Sequence, residues 1–147
     1  MKLAQNVGVM KVISFTLRPR APFRLDLTAW TLRRRERNIV DSWDGQTYRR
    51  VVSIPRPTPQ HGILIHVWQS GTLDRPLLHV TAEATRISES TRTTVTLALE
   101  RLLGLSVDMG PFYRFAAHYP KLDTLAQRFK GMKPPRFNSV FEALAGS

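Results

Sequence analysis

Four arginines, Arg33, Arg34, Arg35 and Arg37, crowd one short stretch of the chain. Guanidinium groups present a planar fork of donors that fits phosphate oxygens, so the run is a candidate phosphate contact. Basic residues at the end of a helix also complement its negative pole, and both readings stay open. Arg18, Arg20, Arg49 and Arg50 offer the same chemistry more thinly. Trp30, just before the run, has helical spacing from Phe23 and Leu27, where a large aromatic is ordinary core. His66 and His79 fall on neighbouring strands, but two imidazoles lack the further ligands that zinc requires, so no metal is expected. Asp26 and Asp108 suit turns or helix caps. No Ser-His-Asp spacing, Gly-rich phosphate loop or pair of carboxylates on one helical face stands out, and the residues alone point to no catalysis or cofactor.

The charge balance points outward, towards polyanions. Twenty-two Lys and Arg against eleven Asp and Glu give a net charge of +11 over 147 residues. The excess is uneven, +8 in residues 1–60 (twelve basic, four acidic) and +3 in residues 61–147 (ten basic, seven acidic). Such a surface attracts nucleic acid first and anionic membrane second. A coding bias towards Arg gives the same count without function. The hydrophobic fraction of 42% supports a packed core, and no apolar run is long enough to cross a bilayer. The opening residues lack the apolar stretch of a secretory signal. Cysteine is absent, which fits a reducing cytoplasm and removes disulfides and thiolate metal sites.

The elements that position these residues follow from periodicity. KVISFTL (11–17) alternates, with Ile13, Phe15 and Leu17 on one face, and predicts a half-buried strand. From about 24 to 35 the period becomes helical, with two apolar stripes: Phe23, Leu27 and Trp30, and opposite them Leu25, Ala29 and Leu32. One stripe would suffice for a surface helix, so two imply contacts on both sides. Residues 39–43 and 46–52 flank Asp44-Gly45, a tight-hairpin pair. PRPTP (55–59) is a rigid connection before strands at 62–68 and 77–84. The expected fold is α+β, an antiparallel five-stranded sheet with one helix laid on it, spanning residues 1–90.

Residues 91–147 read as helical. The helix at 93–104 carries Val95, Leu99 and Leu102 on a stripe and stops at Gly104. Asp108 is placed to cap the next helix, with Pro111 in its first turn and Phe112, Phe115 and Ala116 facing inward. A third helix covers 121–131 and closes at Gly131. Ser139 and Glu142 have capping-box spacing and open a fourth, with Val140, Phe141 and Leu144 apolar.

Four stretches, in their order and spacing, resemble the helix-hairpin-helix DNA glycosylases of the 3-methyladenine glycosylase II type. They are FTLRPRAPFRLDLTAWTLRRR (15–35), IVDSWDGQTYRRVV (39–52), LERLLGLSVDMGPFYRFAAHYPKLDTLAQRFKGMKPPRF (99–137) and NSVFEALAGS (138–147). The resemblance implies a sheet domain similar to half of the TATA-binding-protein fold, followed by the opening helices of the glycosylase domain. It implies double-stranded DNA with a damaged, alkylated base as partner. The chemistry implied is extrusion of that base into an aromatic pocket, with an Asp stabilising the cationic sugar. In the family a Gln-rich DNA-contacting stretch, the Gly-rich hairpin turn and that Asp follow the helix begun at FEAL, and no residue here matches them. The expectation is therefore a truncated scaffold that is inactive alone. An aromatic on the family's first helix approaches the base pocket, and the matching position is Thr31 or its neighbour Trp30. A truncated scaffold also implies exposed apolar surface, on one stripe of the first helix and around Phe141 and Leu144, with self-association as its consequence.

Two rival readings need no resemblance. A complete basic module could hold nucleic acid through phosphate contacts without chemistry, with steep salt dependence. An adaptor for anionic membrane or protein rests on charge alone.

Overall fold

Strict alternation builds the sheet. In the computed structural model, which describes residues 8–33, 40–53 and 62–136, the strands are β1 (Lys11–Leu17), β2 (Ser42–Trp43), β3 (Thr47–Ser53), β4 (Gly62–Gly71) and β5 (Pro76–Ala84). They form one antiparallel five-stranded sheet in the order β1-β5-β4-β3-β2. Every second residue points to a common face: Ile63, Ile65 and Val67 of β4 sit beside Leu78, Val80 and Ala82 of β5, all buried. Ile13, Phe15 and Leu17 line up on that face from β1, as their alternation predicts.

Helix α1 (Leu25–Arg33) covers the apolar face with Leu25, Ala29 and Leu32. Its start is fixed by Gln69 of β4, whose Oε1 accepts the Leu25 amide at 2.7 Å and whose Nε2 donates to the Phe23 carbonyl at 3.1 Å. One side chain thereby satisfies a free helix-end amide and locks helix to sheet. Helix α2 (Glu89–Leu103) adds Val95, Leu99, Leu102 and Leu103 to the same apolar cluster. It begins four residues before the predicted 93, because the Ser88 amide donates to Thr91 Oγ1 at 2.9 Å and starts the helix there. It ends, as expected, at Gly104 with φ 58°.

The hairpin turn differs by one residue from expectation. Trp43 pairs with Tyr48, so Gly45 and Gln46 are the central residues and Asp44 precedes them. Gly45 takes the positive φ, 99°. Asp44 Oδ1 accepts the amides of Gln46 and Thr47 at 2.9 and 2.8 Å, a side-chain turn that stabilises the backbone turn.

Helices α3 (Gly110–Ala116) and α4 (Pro120–Arg128) form a hairpin. Pro111 sits in the first turn of α3, and Asp108 accepts the Gly110 amide at 2.9 Å from just ahead of the cap residue Met109. Helix α4 stops three residues short of Gly131. Phe112 and Phe115 are exposed and only Ala116 of the expected trio is buried, because α3 packs through Ala116 and the half-buried Tyr113, whose hydroxyl accepts the Gly131 amide at 3.0 Å, and turns its phenylalanines to solvent. After α4 the chain returns to α1: the Gly131 carbonyl accepts the Arg24 amide at 2.7 Å, and the Lys133 amide donates to Thr28 Oγ1 at 3.2 Å. Thr28 Oγ1 itself donates to the Arg24 carbonyl at 2.9 Å, so one hydroxyl joins α1 to the end of the described chain. The predicted linker 55–59 and the helix opening at Ser139 and Glu142, with Phe141 and Leu144, lie outside the described residues.

Candidate nucleic-acid interface

The first stripe of α1 divides instead of packing as a unit. Phe23 is fully buried and Leu27 is half-buried, while Trp30 is 64% exposed. Leu25, Thr28, Ala29 and Leu32 set the buried side, and Trp30 projects away from it. The core reading of Trp30 is thus overturned within the described residues: its indole lies open and available for stacking. Thr31 is half-buried beside it, its hydroxyl donating to the Thr28 carbonyl at 2.6 Å. Arg33 ends α1 and carries the only described member of the arginine run; Arg34, Arg35 and Arg37 lie outside the described residues.

The secondary arginines are mostly committed. Arg50 belongs to the buried face of β3, where its Nη1 donates to Asp41 Oδ1 at 2.9 Å, and the Tyr48 hydroxyl donates to the same oxygen at 2.5 Å. Burial, then the Asp41 charge, holds the Tyr48 hydroxyl well above its ordinary range, so it stays a neutral donor to that carboxylate. Arg50 is therefore a core residue and not a phosphate contact. The parity of Tyr48, Arg50 and Val52 in β3 was the available sequence signal. Arg20 pairs with Asp108 at 2.8 Å and Arg49 with Asp44 at 2.7 Å, both near the surface. Arg18 is exposed. Asp26 is held by Arg24 in two contacts of 2.5 and 3.1 Å at the start of α1.

On the sheet face away from α1, His66 and His79 do lie on adjacent strands, yet each has other work. Arg49 Nε donates to His66 Nδ1 at 3.3 Å, which leaves the proton on Nε2, 3.4 Å from Glu83 Oε1. That approach is close but not aligned as a hydrogen bond. His79 stacks on Trp68, ring centroids 3.7 Å apart and planes 6° from parallel, with its Nε2 2.8 Å from Ser70 Oγ. Among the described residues no three metal-ligating side chains gather in one place.

Lys133 was not singled out by sequence reasoning. Its side chain is buried, with Nζ donating to the Val107 carbonyl at 2.5 Å, and desolvation lowers its pKa against the opposing pull of Asp108. An interior lysine in a proline-rich stretch, KPP, gave no periodic cue.

This architecture defines an α+β domain of a basic protein whose aromatics partly face outward. It is similar to a solved 3-methyladenine DNA-glycosylase from Archaeoglobus fulgidus, with a TM-score of 0.62 and 19% sequence identity. The match covers 89% of this chain and 42% of that one, so the chain spans less than half of its structural neighbour's length. At this identity the likeness establishes a shared fold. No family model and no curated protein sequence matches the chain.

Proposed function

We propose that this chain is the scaffold portion of a base-excision DNA glycosylase acting on alkylated bases, and that it does not release bases by itself. The observation that carries this reading is the structural likeness to a 3-methyladenine DNA-glycosylase over 89% of the chain, sheet and helices together. The net charge of +11 supports DNA as the partner. In this reading residues 1–90 form the sheet-bearing unit and residues 91–147 open a helical one of the helix-hairpin-helix type. Trp30 or Thr31 then stands by the base pocket, and Arg33, Arg34, Arg35 and Arg37 contact phosphates. The exposed Trp30 face favours self-association of the isolated chain, measurable as a concentration-dependent sedimentation coefficient.

The inactive reading rests on the resemblance, in which no residue of this chain matches the family's Asp. The test is a base-release assay with the purified chain on methylated duplex DNA. Release at the uncatalysed rate is expected; enzyme-dependent release abolished by no buffer change overturns the claim of inactivity. Absence of any duplex binding at low salt would remove DNA as the partner.

A further inference from the structure

The α3–α4 hairpin gathers aromatic rings and cations with almost no acid. Residues 110–130 hold five aromatics among the thirteen of the chain, four cations and one carboxylate, Asp123. Phe112 and Phe115 lie three residues apart on α3, which brings them to one side of the helix, and Tyr119 stands in the extended turn between α3 and α4. They are 40%, 56% and 53% exposed, and the Phe115 and Tyr119 rings lie 5.2 Å apart between centroids. Arg114, Lys121 and Arg128 are exposed on the same hairpin, Arg128 lying 5.7 Å from the centre of the Phe129 ring, and among the described residues none of these three is in an ion pair. Asp123 is occupied by Gln127 Nε2 at 3.2 Å.

We propose that this hairpin is a contact surface for single-stranded nucleic acid, with Phe115 and Tyr119 stacking on bases and Arg114, Lys121 and Arg128 on phosphates. Two chemical requirements meet there. Exposed rings gain most from flat apolar partners, and cations outside any ion pair from an anionic one; a single strand offers both along one backbone. A second copy of the chain would satisfy the rings but set like-charged hairpins against each other. A duplex would satisfy the cations but keep its base faces stacked inside. The inference rests on the reading that the chain works on DNA, and it adds a contact surface on a different element to the one proposed at the α1 arginines.

Fluorescence anisotropy of the full chain tests this, with a labelled oligothymidine of about twenty nucleotides and a duplex of similar length, matched to the usual footprint of such surfaces. The oligothymidine is expected to bind, and the double variant Phe115→Ala, Tyr119→Ala to weaken it about tenfold or more. The variant Lys121→Ala, Arg128→Ala is expected to flatten the log–log salt slope by about 1.4. Tyr119→Trp is expected to retain affinity and to show indole quenching on binding. Circular dichroism controls for folding, since all these positions are exposed. Unchanged oligothymidine affinity in both double variants overturns the proposal while DNA binding through another element stands. Equal losses for duplex and single strand overturn the assignment to single strands. Loss of self-association in the aromatic variant with unaltered affinity assigns the face to protein contact and also overturns it. No binding of either probe at low salt sinks this proposal together with the DNA reading.

Discussion

Asp44 shows how a single exposed side chain can govern a strand connection. Its carboxylate accepts two backbone amides and pairs with Arg49, and these contacts lower its pKa from 3.8 to about 2, the Thr47 and Gln46 amides contributing most. A carboxyl whose folded pKa is depressed stabilises the fold fully above its unfolded pKa, and that contribution is lost as pH falls through the folded value. Denaturation of the protein and of Asp44→Asn should therefore differ by a constant amount at neutral pH. The difference should shrink between pH 3.8 and about 2. A difference that is independent of pH across this window would show that the Asp44 charge adds nothing to the turn's stability. The Asp-Gly pair was legible in the sequence, whereas its phase was not. Either residue can open a tight turn, and only the Trp43–Tyr48 pairing decides which does.

At the level of elements, strands were more legible than helices, and the reason is geometric. A period of two leaves no freedom once one face is apolar, so Ile13, Phe15 and Leu17 announced their own orientation. A helix carries its stripe on a broader arc, and Phe23, Leu27 and Trp30 read as one face although burial falls steadily along it. Arg50 was missed because arginine in a strand suggests surface, and its buried partner Asp41 lies on another segment. Trp30 reads both as core and as a pocket residue, because the sequence cannot show which stripe the sheet takes. Gly131 was noticed as a helix stop, but its task lies in the returning segment. It has φ 94°, and a Cβ there would meet Leu73 Cδ1 at 2.7 Å and the Arg24 amide nitrogen at 3.0 Å. Gly131→Ala should accordingly cost more than about 1 kcal/mol, combining a left-handed backbone with a clash. Urea titration at fixed m-value measures this, and a neutral result would show that the return segment repositions freely.

At the scale of the molecule, the described residues form a dense sheet-side core and a thin helical edge. The sheet buries residues from three strands and two helices in one apolar cluster, whereas α3 and α4 each bury a single alanine. Amides of residues 110–128 should then exchange with deuterium well before those of β4 and β5, because local opening there exposes little apolar surface. Equal protection of both regions would mean that the edge unfolds only with the core. The Thr28 hydroxyl has a further consequence, one of timing. It receives the Lys133 amide across 105 residues of chain. A ribosome adding ~5–20 residues per second needs on the order of 5–20 s to cover that separation. For that interval the growing polypeptide carries α1 held by Gln69 and the sheet but without its tie to the returning segment. The moment at which this contact can form is then set by the pace of translation instead of the speed of the chain's own motion.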